Sequence, residues 1–279
     1  MRIAVPTADY PPIEGGISTV ALQVSRELVK LGHEVTVIAP GFNNMDAFDS
    51  SEPVEVVRYP GYNLGWLRYL PMARTSKSIL HSADRAVAIN VAYGGLMAAR
   101  AGIPFVVFAY GYEFLKFERN PLVRHLLLRV YRSAGRVIAI SSYTRDALIR
   151  FGVSPKTIDV ILPGAALGER KTTPCATTMR RTILAVGRFM PRKGQETLIR
   201  ALPKVIEKVP NARLVLVGQG PRLGAARRLV AGSGLSDRVE FLSGLTESEL
   251  AEQYRDCDVF ALPTGEAPGG QVAGFGLVC

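Results

Sequence analysis

Apolar residues along this chain come in short runs separated by stretches with helical spacing. Runs of strand length fall at 2–6 (RIAVP), 34–39 (EVTVIA), 54–58 (VEVVR), 85–90 (RAVAIN), 104–109 (PFVVFA), 136–140 (RVIAI) and 157–162 (TIDVIL). Between most of them the spacing is helical, at 17–32, 67–82, 91–101, 121–134 and 142–151. Near-continuous apolar strands alternating with helices predict βαβ units in an open, doubly wound parallel sheet. The longest apolar stretch, Ala86 to Tyr112, carries one charge, Arg100, and is punctuated by Gly94, Gly95, Gly102 and Pro104. Strand–helix–strand explains it better than a membrane span.

The alternation pauses at 168–180, a polar, Thr-rich stretch with one proline. A second series follows, with strands at 182–187, 213–217, 238–242 and 258–262 and helices at 195–208, 221–233 and 247–255. The expected organisation is a domain over 1–168, a linker over 169–180 and a second domain over 181–279. Two Rossmann-like domains would face a cleft at the carboxyl ends of their strands, where ligands of such sheets bind.

Composition narrows the partners. The 279 residues suit two domains, and 48% hydrophobic against 21% charged residues excludes a disordered chain. The net charge is +10, with 18 basic against 13 acidic residues in 1–165 and 16 against 11 in the remainder. An excess spread in this way is no basic tail. It favours an anionic partner: a nucleotide, a phospholipid surface or a nucleic acid. Three cysteines, Cys175, Cys257 and Cys279, without C-x-x-C spacing suit a reducing compartment. The first residues show no signal-peptide pattern, so a cytoplasmic location is expected. His33, His81 and His125 lack metal-ligand spacing, and no metal or other cofactor is expected.

The sharpest chemistry lies in TILAVGRFMPRKGQETL, residues 182–198. A buried strand ends in Gly187, and Arg188 and Lys193 follow before a helix begins. Cations at a helix N-terminus oppose the helix dipole, so a solvated basic loop is the poorer reading. A guanidinium offers bidentate contact to phosphate and an ammonium a mobile point charge; together they suit a diphosphate without a metal. Gly15 and Gly16, between the first strand and helix, would allow close backbone approach to an anion. LVLVGQGPRLG at 214–224 lacks the third glycine of a dinucleotide fingerprint, since position 223 is leucine. Five glycines over 263–279 predict a ligand-facing loop and a helix start near Phe275.

Together these stretches resemble the retaining glycosyltransferases of family 4, with the two-domain GT-B fold. PPIEGGISTVALQVSRELVKLGHEVTVIAP is similar to the family's N-terminal signature, and AVGRFMPRKGQETLIRAL to its V-G-R-x-x-x-x-K-G stretch. LVLVGQGPR, VEFLSGLTESELAEQYRDCDVFALPT and GGQVAGFGLVC follow in the family's order. The G-G-Q-V loop resembles the bacterial lipid-linked mannosyltransferases. The resemblance implies transfer of a hexosyl unit from a nucleoside diphosphate sugar to a lipid-linked or glycan acceptor, with retention, no metal and no nucleic acid. Arg188 and Lys193 would hold the diphosphate, and Gly15 and Gly16 would approach it. Gly218 and Leu245, the latter in the 239–245 stretch, would lie on the donor side. Glu266, Gly269, Gly270, Gly274, Phe275 and Gly276 would serve the loop cradling the sugar. Tyr110 and Glu113 stand at the family's H-G-x-[DE] stretch.

Three positions depart from the family: Tyr110 replaces its histidine, Ala166 its aspartate, and Ala273 the first glutamate of E-x7-E. The second glutamate would fall beyond Cys279. The second domain is accordingly expected to be incomplete and this chain to be a fragment with little transferase activity. A non-catalytic nucleotide-sugar-binding protein is the rival reading, and a sugar-nucleotide epimerase a third. Aromatic and basic residues mix at 62–77 and at 114–136, with Lys116, Arg119, Arg124, Arg129, Arg132 and Arg136. They point to an amphiphilic acceptor and an anionic membrane surface, peripheral to the inner face.

Overall fold

The computed structural model describes residues 1–13, 15–41, 45–60, 67, 69–164 and 181–265. The expected linker therefore lies outside the described residues, as do Glu266, Gly269, Gly270, Gly274, Phe275 and Gly276. The chain divides into two compact units, Met1–Gly164 and Ala165–Cys279.

In the first unit, β1 (Arg2–Pro6), α1 (Gly16–Lys30), β2 (Glu34–Pro40), α2 (Asp46–Ser51), β3 (Glu55–Tyr59) and α3 (Tyr69–Ser82) come first. Then follow β4 (Arg85–Ala88), a π-helical turn (Val91–Gly95) running into α4 (Leu96–Ala101), β5 (Phe105–Ala109), α5 (Tyr112–Leu115) and α6 (Pro121–Ser133). The unit closes with β6 (Arg136–Ala139), α7 (Ser142–Phe151) and β7 (Ile158–Val160). The seven strands form one sheet in the order β3-β2-β1-β4-β5-β6-β7, with every pairing parallel. Their apolar runs are buried on both faces: Ala4, Val37, Ala88, Val107 and Val137 are wholly enclosed.

The second unit has β8 (Arg181–Val186), α8 (Gln195–Lys208), β9 (Ala212–Val217), α9 (Leu223–Gly232), β10 (Val239–Leu242), α10 (Glu247–Asp256) and β11 (Val259–Phe260). Its described strands are parallel in the order β10-β9-β8-β11. One-sided burial sets α8: Gln195, Ile199 and Leu202 face inward at i, i+4 and i+7. In each sheet the order reverses beside the first strand, at β1/β4 and at β8/β11. Such a switch point opens a crevice at the strands' carboxyl ends.

The expected helix over 91–101 begins instead as a π-turn. The Asn90 side chain accepts from Tyr93 N and Gly94 N, and Gly95 N donates to Asn90 O at 2.8 Å. Those bonds widen the first turn, as π-turns do when a local cap outcompetes the i→i−4 ladder.

The exit of β1 is held from β3. The Arg58 guanidinium grips Asp49 of α2 twice, Nη2 to Oδ1 at 2.6 Å and Nε to Oδ2 at 3.0 Å. It also donates to Pro40 O at 3.1 Å and Pro11 O at 2.7 Å, and lies 5.4 Å from the Tyr10 ring centre. The pair is mostly withdrawn from water, with side-chain exposures of 14% and 18%. One side chain thus ties together β2, α2 and the loop leading to Gly15.

Candidate functional site

In the second unit the carboxyl exit of β8 makes a tight backbone structure. Beyond Val186 the pairing with the β9 side continues: Gly187 N donates to Val217 O at 2.9 Å and Phe189 N to Gln219 O at 2.8 Å. A side chain on Gly218 would collide with the Gly187 carbonyl, and one on Gly194 with the Pro263 carbonyl after β11. Both glycines also have positive φ, 140° and 72°, where L side chains are strained. The loop is therefore wedged between its neighbours by close backbone contacts, and the Phe189 ring within it is buried in the core. Gly218 fits a packing role that its place in a motif did not reveal.

On this frame sit the two cations. Arg188 is exposed and makes no ion pair with any described residue. Lys193 closes a one-turn 3-10 helix, Pro191–Lys193, and its aliphatic stem lies beside Gly187, 3.8 Å from where a Cβ would stand. The two side chains thus arise from one loop. A cavity of about 200 Å³ beside the start of α8 is lined by Phe189, Met190, Arg200 and Arg222 among others, but by neither Arg188 nor Lys193. Arg222 is already bonded to Glu196 at 2.7 Å. That cavity is therefore not the cation pair's site.

Sequence reasoning passed over Gln195. Its side chain is buried, at 5% exposure, and Nε2 donates to Gly187 O at 3.1 Å and Arg188 O at 3.2 Å. The available signal was a polar residue on the buried stripe it shares with Ile199 and Leu202. Leu245, between β10 and α10, is partly buried and packs against the cluster of Leu184, Val186, Val215 and Val217.

In the first unit Gly15 is the extended N-cap of α1, with no side-chain cap, and Gly16 is the helix's exposed first residue. Nothing acidic occupies that first turn. The helix end therefore keeps its partial positive charge for an anion.

Tyr110 and Glu113 follow β5. Glu113 is partly buried, and its Oε1 accepts from Tyr110 N at 2.7 Å. Burial pushes the Glu113 carboxyl up to about 7, against the pull of the Tyr110, Glu113 and Gly111 N–H groups and of the Lys116 charge. The Tyr110 ring stacks on Phe108 with centroids 6.5 Å apart, and its hydroxyl is buried with no hydrogen-bond partner among the described residues. Burial, with Glu113 and Asp9 adding to it, holds that phenol protonated far above neutral pH. Tyr110 is therefore no base at neutral pH, and Glu113 acts first on the loop's own backbone.

Glu113 has a pH signature. Below about pH 4.5 it is neutral folded and unfolded. Between about 4.5 and 7 only the folded chain keeps the proton. Its stabilisation is thus full at low pH and lost as pH rises through about 7. Glu113→Gln should flatten that fall, by up to about 3 kcal/mol at 1.36 kcal/mol per pKa unit. Thermal melts from pH 5 to 8 test this: parallel curves for variant and wild type would refute it.

Two family models match the chain: "Glycosyltransferase Family 4" over residues 14–168 and "Glycosyl transferases group 1" over 174–279. A GDP-mannose-dependent alpha-(1-6)-phosphatidylinositol monomannoside mannosyltransferase of Mycolicibacterium smegmatis is 31% identical, over 98% of this chain and 75% of its own length. The Mycobacterium tuberculosis protein of the same name is 29% identical, over 99% and 76%. Among solved structures, Anabaena HepE in complex with UDP and glucose superposes with a TM-score of 0.79 at 21% identity, covering 100% of this chain and 77% of that one. WaaG, a glycosyltransferase involved in lipopolysaccharide biosynthesis, gives 0.71 at 19%, covering 99% and 77%. These likenesses establish the GT-B fold, here with sheets of seven and four described strands.

Proposed function

The chain belongs to glycosyltransferase family 4, and from that premise we propose that it moves a hexosyl unit from a UDP- or GDP-linked sugar to a lipid-linked or glycan acceptor, with retention and without a metal. The observation that carries this reading is the pair Arg188 and Lys193 on one backbone-wedged loop at a sheet's switch point. Charge grows on the leaving diphosphate in the transition state. Fixed cations there stabilise it more than they stabilise the bound donor.

The remaining roles are those that the family resemblance implies. The uncapped start of α1, with Gly15 and Gly16, approaches the phosphates. The backbone near Leu245 meets the base, and Gly218 keeps the cation loop in place. Glu266, Gly269, Gly270, Gly274, Phe275 and Gly276 cradle the sugar. The domain over 1–168 takes the acceptor and that over 181–279 the donor. Names of the mannosyltransferase relatives favour GDP-mannose and a phosphoinositide-like acceptor.

An anionic membrane surface fits α6. Its outward face carries Leu122 and Leu126, 83% and 44% exposed, beside exposed His125, Arg129 and Arg132. Exposed leucines among cations suit a headgroup layer. Arg124 and Arg136 are engaged instead, by Phe151 O at 2.8 Å and Lys156 O at 2.8 Å. No helix among the described residues is long and apolar enough to cross a membrane.

The test is release of nucleoside diphosphate from a panel of donors, with acceptor lipid in anionic vesicles. Acceptor-dependent release supports transfer. The buried Tyr110 hydroxyl, where the family has histidine, favours the rival reading of a non-catalytic nucleotide-sugar binder. Donor binding with no release at any acceptor would establish the rival. Failure to sediment with those vesicles at low salt would remove the membrane claim.

A further inference from the structure

We infer that Gln195 is a positioning residue for the diphosphate site, acting by fixing two successive peptide planes under Arg188. The inference rests on the diphosphate reading of Arg188 and Lys193 and deepens it. The side chain is buried, and its one amide nitrogen donates to the carbonyls of both Gly187 and Arg188. A trans peptide directs its C=O and N–H oppositely. Turning the Arg188 carbonyl to Gln195 therefore sends the Phe189 N–H the other way, where it meets Gln219 O at 2.8 Å. Turning the Gly187 carbonyl to Gln195 likewise sends the Arg188 N–H away from it. That N–H has no partner among the described residues. It is a donor beside a guanidinium on the same residue, and it is available to an anion.

The arrangement also links the two cations. Gln195 begins α8 one residue after Gly194, and Lys193 stands just before that glycine. One amide thus ties the peptide bearing Arg188 to the helix start that follows Lys193. Carbonyls that lost this donor would turn to find another, carrying the Arg188 N–H and side-chain base with them.

Gln195→Met keeps the length and apolar fit of the side chain but cannot donate. We compare affinities for GDP and guanosine, and for UDP and uridine, in wild type, Gln195→Met, Arg188→Ala and the double variant. Gln195→Met should weaken the diphosphate about tenfold, or about 1.4 kcal/mol, and leave the nucleoside within twofold. In its background Arg188→Ala should cost clearly less than in wild type, because the two act through one structure. A merely structural role would weaken nucleoside and diphosphate alike, or leave the Arg188→Ala cost unchanged; either result overturns the inference. If Arg188→Ala weakens the diphosphate and Gln195→Met does not, Gln195 is refuted while the cation reading stands. If wild type binds diphosphate no better than nucleoside, the cation reading falls and takes this one with it. Should Gln195→Met fail to fold, Gln195→Asn, one methylene short of both carbonyls, makes the same comparison.

Discussion

Arg58→Ala should destabilise the first unit by up to about 3–5 kcal/mol, the cost of removing one partner from a buried ion pair, because this pair is part-buried. Asp49, with 18% side-chain exposure, would lose its guanidinium partner, and the Pro11 and Pro40 carbonyls would lose their donor. Arg58→Lys should recover only part, because an ammonium cannot reproduce the planar fork that spans a carboxylate and two carbonyls. With two units a single unfolding midpoint is ambiguous. Amide exchange in α1, α2 and residues 7–13 reads the effect locally, and a loss under about 1 kcal/mol there would show that the clamp is dispensable. The damage should also reach donor binding, since Pro11 leads into the Gly15–Gly16 turn.

The second large effect is expected from removing both cations. Each charge-assisted phosphate contact contributes roughly 1.5–3 kcal/mol. Arg188→Ala with Lys193→Ala should therefore weaken nucleoside diphosphate binding by about 10²–10⁴-fold if the two act independently. They share one loop and one ligand, so the double-variant cycle should show coupling rather than strict additivity. Nucleoside affinity should hardly change. Calorimetry on all four proteins decides: less than a tenfold loss in the double variant, or an equal loss for nucleoside, would end the diphosphate assignment.

Much of the fold was legible because its strands are buried on both faces and so read as unbroken apolar runs. Of these, β1 falls on the expected residues, and α8 likewise falls on the expected 195–208. Two kinds of element escaped. The helices α2 and α5 have six and four residues, too few for a period to appear. The π-turn at Val91 depends on where the Asn90 side chain points, which no spacing rule reports. The expected strand at 258–262 narrows to Val259–Phe260, and Pro263 supplies instead the carbonyl that Gly194 packs against.

The candidate site divides in the same way. Arg188 and Lys193 could be read because cations just past a buried strand oppose the following helix dipole. The work of Gly218 could not, because it depends on a contact with Gly187 thirty-one positions earlier, visible only once β8 and β9 pair. Glu113 stood at an expected acidic position, yet its bond to the Tyr110 N–H and the burial that keeps its proton to about pH 7 belong to three dimensions.

The wedged loop bears on how such a protein can change. Between Gly187 and Gly194 the path of the chain is set by carbonyls, N–H groups, missing side chains at 194 and 218, the buried Phe189 ring, and one buried amide from outside the segment. The exposed side chain at 188 is not among these. Mutation can therefore exchange the chemistry offered there, a cation for an amide or an apolar group, while the backbone stays where it is. Exchanges at 194 or 218 have no such freedom. If Arg188 meets the donor as proposed, drift and directed evolution alike should find new donor preferences at 188 and misfolded protein at 194 and 218.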